Sequence, residues 1–256
     1  MVPLPLARCA PGLLPELALE RGSALAGVFG ESPTYGERSL ALRNAPYRFE
    51  RAAWRRGLVR VAGLDEAGRG PLAGPVVAAV VVLRPGEVIR GVDDSKRLLP
   101  EDRTRLCRLI RRRAMGVAVG VIDAPTIDRI NILEATRLAM QEALVALELT
   151  PELVLTDWVA LAGLPCPQRN LVKGDQRSAT VAAASIVAKV TRDGIMDEAD
   201  REFPQYGFRR HKGYATEEHR VALAAHGPCP LHRRRFHGVF VQGELFEWYQ
   251  DEEYEA

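Results

Sequence analysis

Residues 59–83 contain the grouping of residue types that could most directly do chemistry. A mostly apolar segment ends in Asp65 and Glu66, a turn made of Gly68, Arg69 and Gly70 follows, and a second apolar segment then leaves. Because neighbouring side chains on a strand point to opposite faces, Asp65 and Glu66 can serve one site only where the regular pleat ends, and the glycines predict that ending. Two carboxylates beside an arginine-bearing loop are what a divalent cation and a phosphate would need together.

Two further acids, Asp157 and Asp175, also follow short apolar segments. Strand ends in open α/β sheets are where sites form, and acids gathered there repel one another unless a cation neutralises them. An oxygen-only ligand set selects Mg²⁺ or Mn²⁺ over zinc, and two such ions about 3.5–4 Å apart can activate water for phosphodiester cleavage. A single acid at a strand end is more often a turn or helix cap, but four acids are hard to explain in that way.

The elements that must position these acids alternate between strands and helices. The expected strands span residues 58–65, 75–83, 117–122, 153–157 and 170–175. The expected helices are one that begins at Pro100 and three that cover about residues 123–149, 178–200 and 216–225. This order predicts an α/β fold with a mixed central sheet flanked by helices, followed by a C-terminal helical part from about residue 203.

The two ends of the chain differ from this pattern, so we expect a catalytic domain over residues 57–240. Prolines and glycines interrupt every periodic pattern in residues 1–56, which predicts a loosely ordered extension, and residues 241–256 form an acidic tail. Residues 47–56 interleave aromatic side chains with arginines. That mixture is compatible with binding to nucleic acid and equally with a short amphipathic helix that covers the sheet edge.

The composition excludes several classes of protein. Hydrophobic residues make up 47% of the chain, which is ample for a core, and the net charge of +2 is too small to indicate a partner. Four dispersed cysteines without a CxxC pair argue against a zinc ribbon or a disulfide framework and favour a reducing, cytoplasmic location. Neither a signal-peptide pattern nor an apolar run of about 20 residues is present, so we expect no membrane segment.

Several blocks of residues, taken in order, resemble ribonuclease HII, the type 2 RNase H family. The resemblance covers about residues 58–240 and is carried by these blocks: Asp65–Val77, Asp94–Leu98, Asn131–Thr136, Lys173–Asp175, Ala183–Asp193, Phe203–Phe208, His211–Thr216 and His232–Phe236. It implies an RNase H-like fold and an endonuclease that cuts the RNA strand of RNA–DNA hybrids, or a single ribonucleotide embedded in duplex DNA. The products would carry 5′-phosphate and 3′-hydroxyl ends.

The resemblance also assigns roles to individual residues. The carboxylates that would bind Mn²⁺ or Mg²⁺ are Asp65, Glu66, Asp157 and Asp175. The backbone of Gly68, Arg69 and Gly70 would contact the 2′-hydroxyl that separates RNA from DNA, Tyr214 would stack on the sugar at the RNA–DNA junction, and Ser95 and Lys96 would hold backbone phosphate. One departure stands out, because Trp158 occupies the position after Asp157 where the family usually has glycine. A bulky side chain there is expected to narrow the site.

Two other functions remain open at this point. A non-catalytic nucleic-acid-binding protein could use the basic helix over residues 103–113 and the cluster over residues 233–235, but it has no reason to keep four acids that repel phosphate. A DNA nuclease of the same fold superfamily would share the acids and should lack the glycine-rich turn and Tyr214. The ribonuclease, acting as a monomer in DNA replication and repair, is the favoured interpretation. The spacing of His211, His226, His232 and His237 fits no zinc pattern, so we expect phosphate-contact or surface roles for them.

Overall fold

The computed structural model describes residues 47–239, and a five-stranded sheet lies at their centre. Its strands are β1 (Val61–Ala67), β2 (Val76–Val82), β3 (Gly116–Ile122), β4 (Leu153–Thr156) and β5 (Gln168–Asn170). The strand order is β3-β2-β1-β4-β5. Strand β2 is antiparallel to β1 and β3, whereas β4 is parallel to β1 and β5. The predicted mixed sheet of an α/β fold is therefore confirmed.

Helices cover both faces of this sheet and continue beyond it. Their bounds are α1 (Arg48–Trp54), α2 (Pro100–Arg113), α3 (Ala124–Ala146), α4 (Gly174–Arg177), α5 (Ala179–Glu202), α6 (Phe208–His211) and α7 (Glu217–His226), with a 3₁₀ turn at Pro204–Tyr206. The helical part predicted from about residue 203 corresponds to this turn with α6 and α7. In the part of the chain that the structure describes, no helix has the length and hydropathy to cross a membrane.

Strand β2 is the centre of the core because both of its faces are buried. Its odd-numbered residues pack with α2 and the alanine-rich first half of α5, and its even-numbered residues pack with α3. A strand buried on both faces needs apolar residues at every position, which is why Val76–Val82 contains no polar side chain. The small side chains of α5 allow that helix to approach the sheet closely.

The end of β1 differs from the prediction in a way that matters for the site. We expected the pleat to end at residue 65, but β1 runs regularly to Ala67, which pairs with Val77. Asp65 and Glu66 therefore lie within one regular strand and direct their side chains to opposite faces. The two carboxylates can share a site only by straddling the end of the sheet, where groups from both faces reach the same cleft.

Two other segments also depart from the expected elements. The strand predicted over residues 170–175 ends at Asn170, and Asp175 lies in the first turn of α4. Helix α3 is interrupted at Asn131, whose φ of 67° is not helical. The Asn131 Oδ1 atom accepts hydrogen bonds from the backbone N–H groups of Leu133 and Glu134, so this residue caps the second segment of α3.

Helix α1 lies before the predicted start of the catalytic domain at residue 57 and packs against the core. Phe49 and Ala53 of α1 belong to a buried apolar cluster with Val61, Leu155 and Val181. Glu50 of α1 is fully buried and accepts hydrogen bonds from the Ser178 hydroxyl and from the backbone N–H and hydroxyl of Thr180. Of the two interpretations of residues 47–56, these contacts favour the covering helix. Residues 1–46 and the acidic tail lie outside the described residues.

Candidate active site

All ten residues predicted for the site line one cleft, which has a volume of about 340 Å³. The cleft lies where β1 and β4 end, and α4, α5 and the loop after β1 complete its walls. The predicted residues are Asp65, Glu66, Gly68, Arg69, Gly70, Ser95, Lys96, Asp157, Asp175 and Tyr214, and the same cleft is lined by Trp158, Ser185 and Lys189. Residues from distant segments of the chain are therefore brought together in one cleft.

Asp65 lies on the α5 side of the cleft and is only 8% exposed. The Ser185 hydroxyl is hydrogen-bonded to this carboxylate and lies 2.9 Å from the Ser95 hydroxyl oxygen. Burial raises the pKa of Asp65 well above its ordinary value, and the negative charges of Glu66 and Asp175 add to this effect. Ionisation of Asp65 therefore costs free energy in the folded protein, and a nearby cation would reduce that cost.

Glu66 occupies the opposite side, next to Trp158. Its Oε1 atom accepts a hydrogen bond from the Trp158 indole N–H over 3.0 Å and lies 3.7 Å from the Arg69 guanidinium. Its Oε2 atom is buried without a hydrogen-bond partner among the described residues. Burial raises the pKa of Glu66, while the Trp158 hydrogen bond opposes the rise.

A hydrogen bond between their segments brings Asp157 and Asp175 together. The backbone N–H of Gly174 donates to Asp157 Oδ1 over 2.7 Å and so joins the end of β4 to the start of α4. Lys173, with a left-handed φ of 56°, turns the chain into α4 and towards the cleft. Burial, with the charges of Asp94 and Asp157, raises the pKa of Asp175 to about 6.

The chemistry of these groups fits a hard divalent cation. A buried carboxylate oxygen without a partner and clustered acids with raised pKa values are what a bound cation would compensate. Across residues 47–239, however, no three acidic, histidine or cysteine side chains are gathered closely enough to form a finished cation site. Protein donors engage Glu66 Oε1 and Asp157 Oδ1, so a cation would meet the other oxygen of each of these carboxylates.

Two buried arginines hold the glycine-rich loop, and their role was not evident from the sequence. Arg233 is fully buried and donates hydrogen bonds to the carbonyl oxygens of Gly68, Arg69 and Gly74. Arg192, which is also fully buried, donates to the carbonyls of Ala73, Pro75 and Lys212. The interpretation of residues 233–235 as a basic cluster for nucleic acid is therefore wrong for Arg233, since its guanidinium faces the protein interior.

The structure gives different reasons for the glycine at position 68 and the glycine at position 70. Gly68 has a φ of +95°, and a Cβ atom there would meet the Arg192 Nε atom at 2.0 Å. A Cβ atom on Gly70 would have the Tyr214 Cε1 atom, at 4.0 Å, as its nearest neighbour. Gly68 is thus required by the fold, whereas the space beside Gly70 is open cleft where a substrate could approach.

Gly70→Ala is expected to fold like the parent and to cleave the RNA-containing substrate that the resemblance implies roughly 10–100-fold more slowly, because the added methyl group would fill the space where the sugar is expected to approach. Thermal unfolding and single-turnover cleavage measure the two effects. Gly68→Ala serves as the comparison and should lose stability as well as activity, since it combines a positive φ with a clash. Unchanged cleavage by Gly70→Ala would show that the sugar does not approach this position.

Two neutral histidines, His232 and His219, form a chain of hydrogen bonds that ends at the backbone carbonyl of Tyr214. The backbone N–H of Cys229 donates to His232 Nδ1 over 3.0 Å, so the proton of a neutral His232 lies on Nε2, which is 3.0 Å from His219 Nε2. His219 Nδ1 in turn donates to the Tyr214 carbonyl over 2.9 Å. The expected surface or phosphate-contact role is wrong for His211 and His232, because both are buried. In this arrangement every ring nitrogen of His219 and His232 has a hydrogen-bond partner.

Acidification is expected to destabilise the protein through His232. Burial and the neighbouring His219 lower the pKa of His232 from 6.5 to about 4, so the unfolded chain binds this proton more readily than the folded chain does. Stability from this group is complete above about pH 6.5 and is lost as the pH falls towards 4. Acidification should therefore cost the parent about 3 kcal/mol more stability than it costs His232→Gln, which lacks the imidazole. The carboxylates titrate in both proteins, so their effect cancels in this comparison. Chemical denaturation across this pH range measures it, and a constant difference would contradict the assignment.

Comparison with known proteins places these observations in a family. A family model described as Ribonuclease HII matches residues 62–239. The Ribonuclease HII of Geobacter sp. (strain M21) is 49% identical over 215 residues, which are 84% of this chain and 90% of that protein. The protein of the same description from Geobacillus kaustophilus is 52% identical over 189 residues, covering 74% of this chain and 72% of that one.

Solved structures agree with the sequence matches. The ribonuclease H2 of Pyrococcus horikoshii OT3 superposes with a TM-score of 0.64 at 27% identity, over 75% of this chain and 99% of that chain. Bst-RNase HIII, solved in complex with Mn²⁺, has the same fold with a TM-score of 0.58 at 23% identity, over 73% of this chain and 70% of that chain. The fold described above is thus shared with both structures.

Proposed function

The chain belongs to the ribonuclease HII family and is an endoribonuclease of the RNase H type, and we propose that it cuts RNA–DNA hybrids as well as single ribonucleotides embedded in duplex DNA. One observation carries the proposal, namely that Asp65, Glu66, Asp157 and Asp175 line the same cleft as the glycine-rich loop. Acids alone would suit any metal-dependent nuclease. Their position beside a loop with an open approach at Gly70 favours a substrate with a 2′-hydroxyl.

The four carboxylates are the proposed ligands of the divalent ions, Mn²⁺ or Mg²⁺. When bound, such ions activate a water molecule and stabilise the leaving oxygen. The neighbouring Lys96 and Ser95 are the proposed contacts to the phosphate backbone, for which the Ser95 hydroxyl would have to exchange its hydrogen bond with Ser185. Attack of water on phosphorus with departure of the 3′-oxygen leaves a 3′-hydroxyl and a 5′-phosphate, which are the proposed ends.

We infer that selection of RNA depends on a loop that is held in place before substrate binds. Arg233 and Arg192 engage the backbone carbonyls of residues 68, 69 and 73–75, which fixes the loop before the sugar arrives. A fixed loop discriminates well because its backbone groups are left unpaired when the 2′-hydroxyl is missing. Tyr214, which is 44% exposed at the cleft, offers its ring to the sugar at the RNA–DNA junction.

Tyr214→Ala is expected to slow cleavage at a single embedded ribonucleotide by about 10–100-fold, since stacking on an aromatic ring is worth about 1–3 kcal/mol. Tyr214→Phe, which keeps the ring, should retain most of the activity. Single-turnover rates on a duplex with one ribonucleotide measure the effect. Equal rates for Tyr214→Ala and the parent would remove the tyrosine from junction recognition.

The test of the proposed function is cleavage of a labelled duplex that carries one ribonucleotide, in Mn²⁺, Mg²⁺ or EDTA, with an all-DNA duplex as control. We expect one cut next to the ribonucleotide in either ion, with 5′-phosphate and 3′-hydroxyl ends, and no cut in EDTA or in the all-DNA duplex. Cleavage of the all-DNA duplex would favour a DNA nuclease, and binding without any cleavage would favour a non-catalytic nucleic-acid binder.

The proposed setting of this activity is a cytoplasmic enzyme that works as a monomer in DNA replication and repair. Cys107, Cys166 and Cys229 are free thiols, in keeping with a reducing compartment. The ten predicted site residues all come from one chain, so one copy supplies the whole proposed site.

A further inference from the structure

Trp158 touches two functional parts of the cleft at once. Its indole N–H donates a hydrogen bond to Glu66 Oε1 over 3.0 Å. The guanidinium carbon of Arg69 lies 3.9 Å from the centre of its ring, in the geometry of a cation–π contact. One side chain at the end of β4 therefore contacts both a carboxylate of β1 and the loop that follows β1.

The contact with Trp158 determines how Glu66 is presented. Arg69 is too far from Glu66 Oε1, at 3.7 Å, for a good hydrogen bond, so the indole N–H is the short contact of this oxygen. The other oxygen, Oε2, is buried without a hydrogen-bond partner in the described part of the chain. With Oε1 engaged, Oε2 is the oxygen left available for a cation.

We propose that Trp158 is a positioning residue that orients the Glu66 carboxylate for cation binding and holds Arg69 beside it. Trp158 would thereby couple the cation site to the glycine-rich loop. This inference rests on the proposed function, because it assumes that Glu66 is a cation ligand. Groups that orient a ligand typically change metal affinity by about 10–100-fold when they are removed.

The two contacts of Trp158 can be separated by substitution. Trp158→Phe keeps a ring beneath Arg69 and removes the N–H donor, whereas Trp158→Ala removes both. Trp158 is 40% exposed, so neither variant leaves a large cavity in the core. Trp54→Phe, a change of the same kind in α1 and away from the cleft, is the matched control.

The experiment is calorimetric titration of the substrate-free protein with Mn²⁺, after thermal melting in EDTA has compared the folds. We expect Trp158→Phe to weaken Mn²⁺ binding about tenfold and Trp158→Ala to weaken it at least as much, with Trp54→Phe unchanged. In saturating Mn²⁺, the KM for hybrid should stay near the parent value in Trp158→Phe and rise about two- to fivefold in Trp158→Ala, because only the second variant loses the stack on Arg69.

The outcomes distinguish this inference from the proposed function. If the parent binds Mn²⁺ and cleaves hybrid while Trp158→Phe binds Mn²⁺ within twofold of the parent, the positioning role is overturned and the ribonuclease assignment stands. If the parent neither binds Mn²⁺ nor cleaves, both fail. A KM that rises equally in the two Trp158 variants would show that the ring does not hold Arg69.

Discussion

Replacement of Asp65 by Asn is expected to abolish cleavage, by at least roughly 10³-fold or about 4 kcal/mol of barrier, while the cation-free protein becomes more stable. The amide keeps the size of the carboxylate but removes the charge that we propose binds a cation. Burial and the charges of Glu66 and Asp175 raise the pKa of Asp65, so ionisation of Asp65 costs the folded state free energy at neutral pH. The neutral Asn side chain avoids this cost.

A gain in stability on Asp65→Asn would show that the charge of Asp65 does not serve the fold, whereas a loss would show that it stabilises the fold. Because the folded pKa of Asp65 is raised, the cation-free parent gains stability as the pH falls through it, and Asp65→Asn should lack this gain. Thermal melting in EDTA and hybrid cleavage in Mn²⁺ measure the two effects. Asp102→Asn, in the first turn of α2, is the matched control: it should leave cleavage unchanged and should lower stability slightly, because Asp102 pairs with Arg105. Retained cleavage would remove Asp65 from the mechanism.

Replacement of Arg233 by Met is expected to cost at least about 3 kcal/mol of stability and most of the activity. The fully buried guanidinium donates to the carbonyls of Gly68, Arg69 and Gly74, and Met leaves these acceptors unsatisfied. Burial lowers the pKa of Arg233 to about 9, which still leaves it charged at neutral pH. The loop that reads the sugar should lose its fixed position when this charge and its hydrogen bonds are removed.

The matched control for this variant is Arg220→Met on the exposed face of α7, which should change stability by less than about 0.5 kcal/mol. Urea denaturation gives the free energy of unfolding, and cleavage of a hybrid gives the activity of the fraction that remains folded. A cost below about 1 kcal/mol for Arg233→Met would mean that other contacts hold the loop.

The acids and the glycine-rich loop could be predicted because each of them lies in a short continuous segment of the sequence with a recognisable pattern. Asp65 and Glu66 stand side by side, and Asp157 follows an apolar strand, so each gives a signal that needs no distant contact. The alternation of apolar segments likewise predicted the mixed sheet, since β2 is apolar at every position.

Features that depend on contacts between distant segments could not be predicted in this way. Arg233 lies in a run of three arginines, and only the folded chain shows that it is buried against Gly68 and Gly74. The hydrogen bond from Trp158 to Glu66 joins residues 92 positions apart, so a bulky residue beside Asp157 gave no sign of a partner. Glu50 was missed for the same reason, because its partners begin at Ser178.

The most direct measurement of the central claim is anomalous diffraction at the manganese edge from crystals of the protein with Mn²⁺ and a hybrid that cannot be cleaved. We expect manganese peaks in the cleft, coordinated by oxygens of Asp65, Glu66, Asp157 and Asp175, with the scissile phosphate beside them. Manganese bound elsewhere, or an ordered hybrid in a cleft whose four carboxylates coordinate no manganese, would contradict this expectation.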